Sequence, residues 1–597
     1  MIGEKRPTAS ASAAGKDGQT GVSLENIPSV REPKPDTNAA AADAEARAGA
    51  EAQAQAGAEA EARDQNPTHR SKRRVSAILV ALYLVLFTTA LDQTVLSTSL
   101  PSIVSSLNSS SGYTWIGAAY LLSTASSGPI WARLSDIFGR KPALLLSVSL
   151  FGIASILAAT SVSMRMLIAA RALQGVGGGG IVQMVYITIS DLFSIRRRAL
   201  VFGGLGGVWA VAGSSGPVVG GLLAGAGGLG RGDGWRWCFW VNVPICVFAF
   251  GLLWGLLDVH NPRTGLREGV KAIDWVGTVS IVAVTVLLLL GMEFGGTVFP
   301  WDSATVICLI VFGVVMVGVF LVAEKKVAVY PLVPLGLFKS LDVTVAFVLS
   351  FAHGMVSFGI EYYLPLWFQS VKGASPLRSG VLTLPMMVTE AITDIISGVL
   401  LHRLGRYREI TWVGVVLMTL GTGLFIRMNR TTDYGVIVAF EIVGGIGTAL
   451  LFQTPVLAIQ NSVRKADTAS ATATVGFMRN LATSFSIVLG GVVFRDGMES
   501  QQASLAAVGV DGEILRRVAG DAAAANVDIV KEIADRAVRE AVQDAFAWSL
   551  RNMFIFYTAV CGVALVAGLF IKQKEMSKEH TETKTGIEEM AKREDGC

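Results

Sequence analysis

Charged residues are scarce in this sequence. Only 16% of the 597 residues are Asp, Glu, Lys or Arg, whereas an average soluble domain has about 25%. So few charges could not cover the surface of a soluble protein of this length. The mean hydropathy is +0.52, and glycine is abundant at 65 residues, as in membrane helices, where it permits close packing. The composition therefore predicts a protein that crosses a bilayer several times.

Several other signals are missing. The five cysteines have no metal-ligand spacing, so the sequence predicts neither a disulfide framework nor a zinc site. The glycine run at 177–180 follows no strand and lies in an apolar segment, so it does not indicate a phosphate-binding loop. No Walker motif and no nucleophile paired with a base stand out. We therefore expect no enzyme activity, no metal, no nucleic-acid partner and no cofactor, and no use of ATP.

Fourteen apolar runs lie between residues 75 and 571, each long enough for a helix that spans the bilayer, which takes about 20 residues. The predicted fold class is an all-α polytopic membrane protein. Lys and Arg concentrate in alternate short loops, such as Arg196, Arg197 and Arg198, and this bias marks the cytoplasmic side. We therefore expect both termini in the cytoplasm, an even number of spans, and a first span that acts as the insertion signal.

The remaining segments are polar. Residues 1–74 are rich in Ala, Glu, Gln and Gly and are expected to form a disordered cytoplasmic tail, with a second tail at 573–597. Residues 495–551 form a long outer loop whose apolar residues recur at helical spacing, which predicts one or two amphipathic helices as a packing cap or as a gate for substrate. The sequons at Asn108 and Asn429 fall in loops expected outside, so both are candidate glycosylation sites.

An internal repeat organises the chain. The sequence ARLSDIFGRK at 132–141 matches GVLLHRLGR at 398–406 in its Leu, Gly and Arg positions. Arg171 precedes two glycines at the same offsets as Glu441 does. These matches predict two pseudo-symmetric six-helix bundles, at 75–258 and 342–572, with two inserted helices and their linkers at 259–341. Such paired bundles rock about a central site and expose it to each side in turn.

Five motifs make the resemblance specific. They are LDQTV at 91–95 with LP at 100–101, ARLSDIFGRK at 132–141, RALQGVG at 171–177, GPVVGG at 216–221, and WRWCF at 235–239 with NVP at 242–244. Together they resemble the major facilitator superfamily, and within it the fourteen-helix drug:proton antiporters, such as fungal-type multidrug and toxin efflux pumps. The sequence departs from the family motifs at Ser97, Ala132 and Ala212, where the family has Asn, Gly and Gly. These departures concern packing.

Asp92 and Arg171 are the first candidates for proton coupling. Each lies about six residues from the outer end of its helix, which is about 9 Å deep, and buried charges at such depth are usually functional. If their helix faces meet, the two side chains could pair, and a proton on Asp92 would break that pair. A static structural pair would give the same pattern. The resemblance implies that Arg171 matches the family arginine linked to proton coupling.

Glu390 and Asp394 are the second candidates for proton coupling. Their i, i+4 spacing puts both on one helix face, about 6 Å apart. Two carboxylates this close in a medium of low dielectric constant favour a bound proton on one of them. They could instead bind a cationic substrate, or one could be inert. Gln174, Glu361 and Glu441 are weaker candidates for contact with substrate.

Two further motifs suggest conformational roles. The resemblance implies a cytoplasmic latch between the bundles, although ordinary topology could explain its cations; the latch comprises Asp136, Gly139, Arg140, Lys141, Asp191 and Arg198. The antiporter motif comprises Gly216, Pro217, Gly220 and Gly221. Its proline removes a helix hydrogen bond, which a simple structural kink would also explain, and the family associates the motif with antiport.

The function expected from the sequence is proton-coupled export of small amphipathic organic compounds, such as drugs, toxins or secondary metabolites, by alternating access. The energy source would be the proton gradient. We expect a monomer in the lipid bilayer of the plasma membrane, with the vacuolar membrane as an alternative. The competing hypotheses are a proton-coupled importer of one solute, such as a siderophore or an amino acid, and a membrane receptor that does not transport.

Overall fold

The computed structural model describes residues 71–107, 112–225, 234–260, 262, 264–296, 298–520, 522–527, 529–579 and 585–587. This part of the chain is helical and contains no strand. Its fourteen long helices are α1 (Lys72–Ser106), α2 (Gly112–Phe138), α3 (Arg140–Ala159), α4 (Met164–Leu192), α5 (Ile195–Gly225), α6 (Asn242–Leu256), α7 (Trp275–Phe294), α8 (Ala304–Lys326), α9 (Leu341–Ser370), α10 (Leu384–Leu404), α11 (Arg408–Phe425), α12 (Tyr434–Ser462), α13 (Thr468–Ala507) and α14 (Arg536–Gly568). Short helices lie between them at Gly234–Arg236, Trp237–Trp240, Leu266–Lys271, Leu335–Lys339, Pro376–Leu382, Lys465–Asp467, Gly512–Arg517, Ala522–Ala525 and Ile529–Glu532.

Twelve of the described helices are long and apolar enough to cross a membrane. The two long helices outside that set are α2 and α11. Helix α2 carries several Ser and Thr residues in its centre, and α11 begins with a charged Arg-Glu pair, which lowers the mean hydropathy of both. The predicted all-α polytopic class is confirmed, while the predicted number of fourteen spans stays a prediction.

The glycine run at 177–180 serves helix packing. A Cβ at Gly177 would lie 2.7 Å from the backbone nitrogen of Phe151 on α3, and one at Gly180 would lie 2.6 Å from the Trp131 ring on α2. Helix α4 can therefore approach both neighbours only because these side chains are absent.

The second half of the chain repeats this contact. A Cβ at Gly447 of α12 would overlap the backbone of Met418 on α11. Gly447 follows Glu441 by the same six positions that separate Gly177 from Arg171. The crossing of α11 with α12 therefore corresponds to the crossing of α3 with α4, as the internal repeat predicts.

The two bundles meet at the end of the molecule that is rich in Arg and Lys, which we call the inner end and define by Arg140, Arg196, Arg198 and Arg403. Helices α5 and α10 approach closely there, since a Cβ at Gly398 would lie 2.7 Å from the carbonyl oxygen of Ala199. Arg196 Nε donates to the carbonyl of His402 over 2.6 Å. The inner end is therefore closed by direct contact between the halves.

The long outer segment differs from its expected form. Helix α13 continues to Ala507, α14 already begins at Arg536, and three short helices connect them. The apolar spacing across this region is interrupted because the Asp535 side chain accepts hydrogen bonds from Ala537 and Val538 and starts a new helix. Most of the segment thus extends two long helices, and Val518, Val530 and Phe546 are buried within it.

Candidate functional site

A polar cluster lies inside the first bundle, where α1, α3, α4 and α6 meet; we call it the first cluster and define it by Asp92, Arg171, Gln174, Asn242 and Ser155. The Arg171 Nη1 atom lies 2.5 Å from Asp92 Oδ2. Both residues are 1% exposed. The two faces that the sequence could only suggest therefore do meet, and the charges pair in a site closed to solvent.

Two amides complete the coordination of Asp92. Its Oδ1 atom accepts hydrogen bonds of 2.8 Å from both Gln174 Nε2 and Asn242 Nδ2. The Gln174 amide also donates to Ser155 Oγ over 2.9 Å. Gln174, considered above as a substrate contact, is placed by the structure in this network. The role of Asn242 was missed by the sequence reasoning, although its position in the NVP motif at the start of the sixth helix was the available signal.

Arg171 is held from several directions. Its Nε donates to the carbonyl of Ile116 over 3.2 Å, and its Nη1 donates to Gln174 Oε1 over 2.7 Å. The guanidinium lies 4.4 Å from the centre of the Tyr120 ring. A buried ion pair tolerates desolvation only when its remaining donors and acceptors are satisfied. A proton on Asp92 would remove one charge of this pair and change the energy of every contact around it.

A second cluster lies in the other bundle between α9, α10 and α12, and we define it by Glu361, Glu390 and Thr448. Thr448 Oγ1 donates to Glu390 Oε1 over 2.6 Å. The carboxyl groups of Glu361 and Glu390 lie close enough to interact directly. A hydrogen bond between them would require a proton on one of the two groups. The structure therefore gives Glu390 a direct partner on α9, in addition to its neighbour on the same helix.

Asp394 lies one turn further along α10 and faces the other bundle. It is 3% exposed, and it packs so closely on α5 that a Cβ at Gly206 would overlap its carboxylate. Gln453 and Arg479 are the polar neighbours that act on it within its own bundle. A buried carboxyl group thus lies at the contact between the halves.

Glu441 occupies the position in the repeat that Arg171 occupies in the first bundle, and it has no comparable environment. The side chain is fully buried. Neither carboxyl oxygen has a hydrogen-bond partner among the described residues. An isolated charge in such a place would be very costly.

Of the residues expected to form a latch, some make contacts within the first bundle and one contacts the second bundle. Arg140 bridges Asp136 and Asp191, with Nη1–Oδ1 and Nε–Oδ2 distances of 2.7 Å each, and Gly139 has a φ of 96° in the turn just before it. Lys141 instead donates to the carbonyl of Trp254. These contacts lie within the first bundle. Their role as a latch stays a prediction.

Contacts between the bundles come from the following helix. Arg198 Nη1 donates to Gln460 Oε1 of α12 over 3.3 Å, and Gln453 Nε2 donates to the carbonyl of Phe202 over 3.3 Å. The inner end of α5 is therefore one of the elements of the first bundle that contact the second bundle in this conformation.

The antiporter motif packs against the helix that carries Asp92. A Cβ at Gly216 would overlap Thr94 Oγ1 on α1, and Ser99 Oγ donates to the carbonyl of Gly220 over 3.4 Å. Pro217 lies inside α5, and a Cβ at Gly221 would meet no atom within 4 Å. The motif thus sets how closely α5 packs against α1, at a position on α1 that is two residues from Asp92.

The two sequons differ in what the structure shows. Asn108 lies outside the described residues. Asn429 is exposed in the turn between α11 and α12, where its Oδ1 accepts hydrogen bonds from Thr431 and Thr432. Glycosylation at either residue stays a prediction.

Comparison with known proteins gives consistent results. The profile of the Major Facilitator Superfamily matches residues 82–487. The chain is 41% identical to the MFS-type transporter ppz2 of Metarhizium majus over 522 residues, 87% of this chain and 89% of that protein. It is 39% identical to the efflux pump dotC of Dothistroma septosporum over 520 residues, 87% of this chain and 88% of that protein. A structure titled as the proton:xylose symporter XylE, with a bound bromo-deoxyglucose, matches 87% of this chain and 99% of its own with a TM-score of 0.55 at 15% identity, which shows a shared fold.

Proposed function

Because this chain belongs to the Major Facilitator Superfamily, whose members are membrane transporters and not enzymes, we propose that it exports small amphipathic organic compounds in exchange for protons. The cargo class would be drugs, toxins or secondary metabolites. We further propose that it works as a monomer in the plasma membrane.

The observation that carries the proposal is the buried pair of Asp92 and Arg171. In the conformation described, the pair is intact at 2.5 Å and closed to solvent. A proton that reaches Asp92 neutralises it and leaves Arg171 with its cation uncompensated, which is strongly unfavourable in a buried site. The protonated protein therefore prefers a different packing of α1, α4 and α6. Loss of the proton on the other side of the membrane restores the pair.

Export, and not import, is supported by two features. The relative from Dothistroma septosporum is named an efflux pump. The antiporter motif packs on α1 beside Asp92, through Gly216 and Thr94. Movement of α1 on protonation would thus be transmitted to α5, whose inner end touches the second bundle through Arg198 and Gln460.

Reconstituted transport with an imposed pH gradient tests the proposal. A panel of fluorescent amphipathic compounds is offered to proteoliposomes that contain the full chain, with the proton gradient oriented in either direction. We expect compounds to accumulate against their own gradient only when protons flow the opposite way. Uptake that runs in the same direction as the protons would identify an importer and overturn the proposal.

A further inference from the structure

A cavity lies at the inner end of the molecule and is lined by none of the residues of the first or second cluster. Its volume is about 400 Å³, and it is lined by Ser194, Arg196, Arg197, His402, Arg403 and Lys578. We call it the inner basic cavity. Ser194 to Arg197 belong to the start of α5 in the first bundle, His402 and Arg403 to the end of α10 in the second, and Lys578 to the segment after α14. The two bundles therefore each supply one wall.

All but one of the residues that line the cavity are basic. Three Arg residues, one Lys and one His face the cavity, and none of the lining residues is acidic. Ordinary membrane topology explains an excess of cations on this side, but it does not require cations from three separated segments to surround one space. Arg196 is held in place, because its guanidinium donates to the main-chain carbonyls of His402 and Arg403.

Ser194 supplies a second and independent feature. Its carbonyl accepts the first hydrogen bond of α5, from Arg198 N over 2.9 Å, so the residue stands at the N-terminus of a helix of 31 residues. Its side chain is 4% exposed, and its hydroxyl has no hydrogen-bond partner among the described residues. The free amides of a first helical turn and the helix dipole favour an anion at this place. A buried hydroxyl without a partner fits the same ligand.

We propose that the inner basic cavity binds a phosphate-bearing anion, and that the headgroup of an anionic phosphoinositide lipid is its source. Basic pockets between helices on the cytoplasmic side suit such headgroups. Exposed apolar residues follow the lining residues on both helices, since Leu200 on α5 is 45% exposed and Leu404 on α10 is 57% exposed. A lipid whose chains lie on that surface would place its phosphate groups among the arginines.

Binding there would affect the conformation, because the ligand would touch both bundles at once. Separation of the inner ends of α5 and α10 would divide the cation set and lose part of the binding energy. A bound anion therefore favours the conformation in which the inner end is closed.

The test measures the thermal stability of the purified full chain in detergent. The probes are a short-chain phosphatidylinositol bisphosphate, phosphatidylcholine of the same chain length, free inositol trisphosphate and inorganic phosphate. The test variant is Arg197→Gln with Arg403→Gln. The control is Arg267→Gln with Lys271→Gln, which removes two exposed cations from the short helix Leu266–Lys271 and changes the net charge equally. Ser194→Ala serves as a second test variant that keeps every cation.

We expect the bisphosphate lipid to raise the melting temperature of the wild type, since a ligand that binds the folded state stabilises it. Loss of two cations should weaken the apparent affinity by about 30-fold, while the control keeps the wild-type response. A response to the lipid alone supports a lipid source, and an equal response to inositol trisphosphate or inorganic phosphate supports the cavity but refutes the lipid source. No response to any phosphate probe, or an equal response in the test and control variants, would overturn the proposal.

Discussion

At the scale of single residues, the first cluster combines a pair that the sequence predicts with partners that it does not. Asp92 and Arg171 stand out because charges inside apolar runs are rare. Asn242 donates to the same carboxylate over 2.8 Å, yet the motif that contains Asn242 does not show that its amide meets this carboxylate. That depends on how α6 is rotated against α1.

The first prediction concerns Asp92→Asn. The substitution keeps the shape of the side chain but leaves Arg171 without a counter-ion, so we expect stability to fall by about 3–5 kcal/mol and transport driven by protons to be lost. Substrate binding to the wild type should release a proton, and this release should be absent in the variant. Isothermal titration calorimetry in buffers of different ionisation enthalpy measures it.

Asp258→Asn is the matched control for this experiment. Asp258 forms an exposed pair with Arg74 at 3.7 Å, and such surface pairs contribute about 0–1 kcal/mol. Proton release should therefore match the wild type. If Asp92→Asn also released the proton, the pair would be a static structural feature and the coupling proposal would fail.

The second prediction concerns the carboxyl pair of Glu361 and Glu390. In Glu361→Gln, the amide can donate to Glu390 in place of the shared proton, so we expect a melting temperature close to that of the wild type. Glu361→Leu leaves the half-buried Glu390 without that partner and should cost about 1–3 kcal/mol. Differential scanning fluorimetry of both variants checks this. An equal loss of melting temperature in both variants would show that the Glu361 side chain matters for packing alone.

The sequence placed Glu390 and Asp394 on one face of one helix, and the structure divides their roles. Glu390 points to Glu361 and Thr448, whereas Asp394 lies against α5. Helical spacing fixes which residues share a face. It does not fix which neighbouring helix each of them meets, because α10 packs against both α5 and α12.

At the scale of secondary-structure elements, close approach at glycines decides how helices cross. The sequence identified the motif at 216–221 by resemblance, and the structure supplies the physical reason at one of its positions, Gly216. The length of α13 could not be read from hydropathy, because the helix continues to Ala507 in polar sequence after its apolar part ends.

The third prediction concerns Gly216→Ala. The added methyl group would overlap Thr94 on α1, so we expect a loss of stability of about 1–3 kcal/mol and a loss of transport, because the helix that carries Asp92 must move. Gly221→Ala is the control, since a Cβ there meets no atom within 4 Å. Melting temperatures and transport rates of the two variants are compared. Full activity in Gly216→Ala would show that the close contact with α1 is not needed.

At the scale of the whole molecule, the repeat predicted two related bundles, and the glycine contacts of α4 and α12 agree with it. The second bundle does not repeat the charge of the first, since Glu441 occupies the position that Arg171 occupies in the first bundle. The conformation could not be predicted, because alternating states share one sequence and differ only in which end of the bundles is in contact.

The closed inner end makes the fourth prediction possible. In Gly206→Ala, the new methyl group would overlap the carboxylate of Asp394 and would also lie 2.9 Å from its Cβ, so we expect α5 and α10 to move apart. We expect spin labels at Leu200→Cys and Leu404→Cys, one in each bundle, to show an added population at longer distance by double electron–electron resonance. The background lacks the five native cysteines.

Gly207→Ala controls for the added methyl group, because a Cβ there has its nearest neighbour, the end of the Ile395 side chain, at an ordinary 3.5 Å. Its label distances should match those of the unsubstituted protein. An unchanged distance distribution in Gly206→Ala would mean that the bundles do not depend on this contact to stay closed. Asp394 is the acidic group at that contact. The same result would therefore argue that protonation of Asp394 does not open the inner end.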